Sequence, residues 1–324
     1  MIKEYGGYMP LELNKGLEHF DKYKDANVAR FNCGRNAIAA AFMAVKPQKV
    51  YLPYYICAVV RETLEKYNLP YELYLLDDML EPMLDYLEDD EWLLYVNYFG
   101  TMPDVKMERI VKKYKRVLID HTQAFYATPI LDDTCFNVFL PRKFFGLIDG
   151  AYLIWGGSRQ FSFDYPKDTS WDRGAFLLKS AELGTNAAYQ DSLDSMDCYA
   201  DGVRMMSTLT EKMLKSIDYE KLGQIRQRNY RVLVDEFRDI NELNLPMEGY
   251  APYVYPLLVK KDTLRKKVVD RKIYAPQWWK YLIQEVPEKS IERTMSEWLL
   301  PLPVDHRYTE DDMKEMAGIV KEIL

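Results

Sequence analysis

The apolar run VLID ends on Asp120, and Gln123 follows three residues later in HTQAF. The next apolar run, FNVFL, leads into PRKFFG, where Lys143 stands on a turn ahead of a further apolar run, GAYLIW. An acid and an amide at the carboxyl end of one strand, with a lysine at the start of the next, suit one cofactor, pyridoxal phosphate. The lysine amine can condense with the cofactor's aldehyde. The carboxylate can keep the pyridine nitrogen protonated, so that the ring accepts electrons. Alone, Lys143 beside Arg142 reads as a solvated basic pair. Asp120 and Gln123 upstream make it a candidate.

The elements that must position these residues are legible from periodicity. FNCGRNAIAAAFMAV predicts a turn into an Ala-rich helix. KVYLPYYICAVVRETLEKY predicts a short strand, a Pro-marked turn and an amphipathic helix. YELYLLD and EWLLYVNYFG predict strands, the second buried on both faces. VKMERIVKKYK predicts a charged amphipathic helix and RVLID the strand after it. Strands alternating with helices indicate an α/β unit with a mostly parallel sheet. In such sheets ligands gather beyond the carboxyl ends of strands, where Asp120 and Pro53 both fall.

Before and after this core the texture changes. The first 30 residues predict an arm with a short helix near Leu11–Tyr23. Beyond Trp155 the chain predicts mostly helices, including a long one over YEKLGQIRQRNYRVLVDEF. YVYPLLV and RKIYAPQWW then predict strands of a smaller unit, and TEDDMKEMAGIVKEIL a final helix with Thr309 as N-cap. The expected division is a large cofactor-binding α/β domain over 1–215 and a small α+β domain over 216–324.

The chain has 324 residues, 48 % of them hydrophobic, enough for a sizeable core. A net charge of −7 argues against nucleic acid as a partner. No apolar run approaches the ~18–20 residues of a membrane span, and MIKEYGGYMPLEL has no signal pattern. These features predict a cytoplasmic protein. Cys33, Cys57, Cys135 and Cys198 form no C-x-x-C pair, and His19, His121 and His306 are scattered, so neither a disulfide framework nor a metal site is expected. His121 reads as a satisfied histidine at a strand end, and Trp278–Trp279 as packing.

Taken in order, these segments resemble the DegT/DnrJ-type sugar aminotransferases, pyridoxal-phosphate enzymes of fold type I. GGYMPLEL and NCGRNAIAAAF are similar to that family's N-terminal segment and its G-[TR]-x-A-[LI] turn. VYLPYYIC resembles its strand and Pro-turn, and VNYFGTMPD its h-x-y-G-x-x-x-D stretch. IDHTQAF is similar to D-x-x-[QH]-A and PRKFFGLIDGAYL to the lysine segment. ELGTNAAY resembles G-x-N-x-R, and LLPLPVDHRYTEDDM the C-terminal L-P…L-T-x-x-D run. The resemblance implies that Lys143 holds the cofactor covalently, that Asp120 pairs with the pyridine nitrogen and that Gln123 bonds the phenolic oxygen. Gly34, Arg35 and Asn36 would cradle the phosphate, a role that also suits backbone N–H groups at a helix N-terminus. Asn186 would reach the phosphate of a neighbouring subunit, which implies a homodimer with shared sites. The implied reaction moves an amino group, with glutamate or glutamine as donor, to a keto-sugar, nucleotide-linked, in surface-polysaccharide or secondary-metabolite synthesis.

The chain departs from the family's pattern in three respects. Val138 and Leu140 stand where it carries a phosphate-binding Ser or Thr. Cys57 stands where an aromatic ring stacks on the cofactor, so that Tyr54 or Tyr55 would have to substitute. Ala188 replaces the Arg of G-x-N-x-R. Two alternatives therefore stay open: another reaction of the same cofactor, such as a dehydration, and a non-catalytic dimeric binding protein on the same fold.

Overall fold

A computed structural model describes residues 5–196, 199, 201–246 and 249–324; Cys198 lies outside them. The chain opens with a single 3-10 turn at His19–Lys22 and strand β1 (Asn27–Phe31). Then come α1 (Gly34–Val45), β2 (Lys49–Pro53), α2 (Ala58–Lys66), β3 (Tyr71–Tyr74), β4 (Glu91–Val96), α3 (Asp104–Tyr114), β5 (Val117–His121), β6 (Cys135–Phe139) and β7 (Ala151–Trp155). The strands form one sheet in the order β1-β7-β6-β5-β4-β2-β3. β2 to β6 run parallel; β7 is antiparallel to both β6 and β1.

Every residue of β4, β5, β6 and β7 is buried, as helices on both faces of a parallel sheet require. α1 packs against β6 and β7 through the small side chains Ala37, Ala39, Ala40 and Ala41, which bring its axis close to the sheet. It ends at Lys46, which is left-handed, and Pro47 prevents resumption. The fold class expected from the sequence is therefore present.

Past β7 come α4 (Ala175–Leu183), α5 (Tyr189–Asp194), α6 (Thr208–Leu214) and α7 (Tyr219–Phe237). β8 (Val254–Leu258), α8 (Leu264–Asp270), α9 (Leu282–Glu285), α10 (Ile291–Trp298), β9 (Leu299–Pro303) and α11 (Glu310–Ile323) complete the chain. β8 and β9 form a two-stranded antiparallel ribbon. α7, α8 and α11 cover it with a separate core that includes Tyr230, Leu233, Phe237, Val268, Met313 and Val320. Along α7 the buried positions Gly223, Arg226, Tyr230, Leu233 and Phe237 recur at helical spacing. α11 starts in a capping box between Thr309 and Asp312. The outer edge of β8 is occupied by the Asn241 amide, which donates to the Pro256 carbonyl at 2.9 Å and accepts from the Leu258 N–H at 2.9 Å.

Two expected elements are corrected. No helix spans Leu11–Tyr23; only the turn at His19–Lys22 is regular. Leu11 and Leu17 face solvent, and Gly16 lies flat on the Lys215 carbonyl, where a Cβ would come within 2.8 Å. With no apolar surface to cover, so short a helix cannot repay its nucleation. RKIYAPQWW is not a strand either. Lys272 and Trp279 have positive φ, and β8 pairs instead with β9, read from the sequence only as an L-P run. Pro301 and Pro303 hid that strand, because proline normally demotes a run.

Candidate functional site

Asp120 lies near the carboxyl end of β5, beside Val96 of β4 and Val138 of β6 in register. Side chains alternate along a strand. Asp120 therefore takes one face and His121 the other, while Thr122, in the turn just past the strand, bonds back to Asp120. The His121 ring stacks on Phe139 at 4.5 Å and contacts Asn97 and Asn137 at 3.2 and 3.3 Å. Burial pushes its pKa down to about 3, so it stays neutral and structural.

On the other face Asp120 is 5 % exposed. Its Oδ1 accepts the Thr122 N–H at 2.8 Å. Desolvation raises its pKa; the nearby Lys143 ammonium and the Thr122 hydrogen bonds oppose the rise. β6 ends at Phe139, and a single 3-10 turn, Pro141–Lys143, carries the lysine back over the strand ends. Lys143 Nζ donates to Thr122 Oγ1 at 3.4 Å and lies 5.7 Å from the centre of the Tyr253 ring. Gln123 is buried; its Oε1 accepts the Phe99 N–H at 2.9 Å, which leaves its amide nitrogen to donate elsewhere. Phe99 stacks on Trp278, and Trp278 on Tyr253.

The N-terminus of α1 reaches the same place. A Cβ on Gly34 would lie 3.5 Å from the Thr122 methyl and 3.9 Å from Leu140. No side chain caps this helix, so its first N–H groups remain available to an anion. Lys143, Asp120 and Gly34 thus converge around Thr122, with Gln123 the next residue along and Arg35 half-buried in the first turn of α1. The donor set matches pyridoxal phosphate: an amine, a buried acid, an amide and an uncapped helix end.

The Asn36 amide is committed to Asn32 Oδ1 at 2.7 Å and the Gly202 carbonyl at 2.9 Å, so its side chain orders the loop beneath α1. Tyr55 is fully buried, edge-on to Trp279 at 4.4 Å and tilted against Tyr98 at 5.7 Å. Tyr54 lies under the Arg61 guanidinium at 5.7 Å. The ring that lies over Lys143 Nζ is Tyr253. Cys57 is exposed at the N-cap of α2. Asn186 is exposed between α4 and α5, at the rim of a cleft beside α11.

Sequence reasoning missed Thr122 and Tyr253. Thr122 was legible, because it lies two residues beyond Asp120, in the turn just past the strand. Tyr253 carried no signal, since it arrives from the start of β8, more than a hundred residues away.

The fold is that of the pyridoxal-phosphate-dependent sugar aminotransferases. The chain is similar to DesV of S. venezuelae, solved in complex with a ketimine intermediate, with TM-score 0.65 and 14 % identity over 94 % of this chain and 86 % of that one. It is similar to the sugar aminotransferase CalS13 of Micromonospora echinospora, with TM-score 0.61 and 14 % identity over 91 % and 87 %. It also matches the E. coli GDP-4-keto-6-deoxy-D-mannose-3-dehydratase with bound hydrated PLP, with TM-score 0.62 and 12 % identity over 93 % and 89 %. At these identities the likeness is one of architecture. No family model matches the chain, and no curated protein matches its sequence.

Proposed function

We propose that the protein is a pyridoxal-phosphate-dependent aminotransferase that moves an amino group from glutamate or a similar donor to a keto-sugar, nucleotide-linked, in the cytoplasm. The observation that carries this reading is the convergence of the Lys143 amine, the Asp120 carboxylate and the uncapped end of α1 at the sheet's carboxyl edge. The cofactor, when bound, supplies an electron sink for charge developing at the substrate carbon. Lys143 would hold it covalently, and its amine would move a proton at that carbon as general base and acid. Asp120 would keep the ring nitrogen protonated, and its burial would make that charge pairing strong. Gln123 would donate from its amide to the phenolic oxygen. Gly34 and Arg35 offer backbone N–H groups to the phosphate.

The sugar substrate class is supported by the names of the proteins that share the fold. No helix among the described residues is long and apolar enough to cross a membrane. A homodimer is supported by an unpartnered apolar surface: Trp171, Leu178, Leu183 and Tyr189, on and beside α4 and α5, are 78 %, 77 %, 64 % and 63 % exposed. Asn186 lies within this stretch, where it can complete a partner's phosphate site.

The test is spectroscopic. Purified protein with pyridoxal phosphate gains a visible absorption band that borohydride removes, and Lys143→Ala gains none. A wild-type protein that stays colourless with added cofactor overturns the reading. A dehydration is the second reading, favoured by the comparable likeness to the mannose dehydratase. Product analysis with glutamate and a nucleotide-linked keto-sugar separates the two. Cofactor binding with no turnover would instead indicate a binding protein, as Val138, Leu140 and Ala188 allow.

A further inference from the structure

Outward from Lys143 a cleft of about 560 Å³ runs between the turn that carries the lysine, helices α4 and α5, and residues 305–307. Its walls hold four cations, Arg142, Lys143, Arg226 and Arg307, against a single carboxylate, Asp305. That carboxylate is already spent: Arg307 grips it in a fork at 2.7 and 2.9 Å. Lys143 has Asp120 nearby.

Among the described residues Arg142 makes no ion pair, and Arg226 has only Asp305, which it shares with Arg307. Arg142 donates to Tyr199 Oη at 3.1 Å and Ser195 Oγ at 3.0 Å, both neutral. Arg226 is 2 % exposed and donates to the carbonyls of Pro252, Tyr253 and Phe144, each at 3.3 Å. Its Nε is buried with no partner. Among the described residues neither guanidinium forms a salt bridge. A desolvated cation without a counter-ion of its own is destabilising, and a chain of net charge −7 does not gather cations by default. Guanidinium groups pair best with planar or tetrahedral oxyanions. Phe176, whose ring lies 5.8 Å from the Arg142 guanidinium, and Leu177 add apolar surface, and Ser180 and Ser192 supply hydroxyls.

We propose that this cleft binds the diphosphate of the substrate, with Arg142 and Arg226 as its counter-ions and the sugar directed toward Lys143. The proposal deepens the function given above and rests on it for the identity of the substrate. It also distinguishes two anion sites, the end of α1 for the cofactor and this cleft for the substrate.

The experiment is calorimetric titration of the full chain with inorganic pyrophosphate and with uridine diphosphate, before and after loading with pyridoxal phosphate. Wild type is expected to bind both probes, more weakly as salt rises. Arg142→Gln is expected to weaken both at least tenfold, with no change in affinity for pyridoxal phosphate. Because Arg226→Gln risks the fold, Ser192→Glu serves as the second variant, since a carboxylate on the cleft wall should exclude the probes. Absence of binding in wild type, or undiminished binding in both variants, overturns the proposal. An equal loss of cofactor affinity in Arg142→Gln also overturns it, because the anion would then be the cofactor's own phosphate. Arg142-dependent pyrophosphate binding in a chain that gains no visible band supports the cleft and overturns only the aminotransferase reading.

Discussion

The amine of Lys143 lies 3.4 Å from the hydroxyl of Thr122, which belongs to the same strand end as Asp120. Thr122 also donates its backbone N–H to the carboxylate and turns its methyl toward Gly34. One small side chain therefore touches three parts of the candidate site.

Thr122→Val keeps the shape and removes the hydroxyl. Affinity for pyridoxal phosphate, measured by absorbance titration, should fall about tenfold, the scale of one hydrogen bond to a charged group. Thr122→Ser should recover most of it. Equal affinities in wild type and the valine variant would remove Thr122 from the site.

Asp120→Asn should separate stability from function. The folded state raises this carboxyl's pKa, so the native protein binds its proton more tightly than the unfolded chain does. The ionised form is then a liability that grows as pH rises from the ordinary carboxylate value through the raised one. At neutral pH the asparagine variant, without cofactor, should melt above wild type, and the gap should close toward pH 3.8. Calorimetric melting curves across pH test this, and the same variant should lose transamination.

His121 sets the opposite dependence. Its native pKa is lowered to about 3 from 6.5. Below pH 6.5 the unfolded chain takes a proton that the native state refuses. Stability should therefore decline on acidification by about 1.4 kcal/mol per pH unit from this group, until its native pKa is reached. Denaturant midpoints from pH 7 to pH 5 should show a shallower slope in His121→Gln than in wild type.

The exposed face around α4 predicts association. Leu178→Asp should shift the sedimenting species from dimer to monomer at micromolar concentration without changing the far-ultraviolet dichroism. A wild-type protein that sediments as a monomer would refute the dimer.

Much of the large unit was legible because its strands are long apolar runs and its helices strongly periodic. The lysine, the acid and the amide could be found by their places at strand ends, and the lysine and the acid do converge around Thr122. The aromatic partner could not. Tyr54 and Tyr55 follow the Pro-turn in sequence, but burial drew Tyr55 toward Trp279 and Arg61 engaged Tyr54. The Asn36 side chain is held by Asn32 and Gly202, because a buried amide must satisfy its own hydrogen bonds, while its backbone N–H stays in the first turn of α1 with those of Gly34 and Arg35. Contacts that join remote segments, such as Tyr253 over Lys143, leave no trace in local pattern.

The ribbon of β8 and β9 would ordinarily be an invitation to other chains, since a two-stranded sheet has two open sides. Here Pro256 faces Pro301 across the pair, so each lacks the N–H that would point outward. Asn241 mimics a third strand along one side, and Pro303 withholds a further donor on the other. Neither rim offers a template for fibril growth, so the second core can stay small without becoming adhesive.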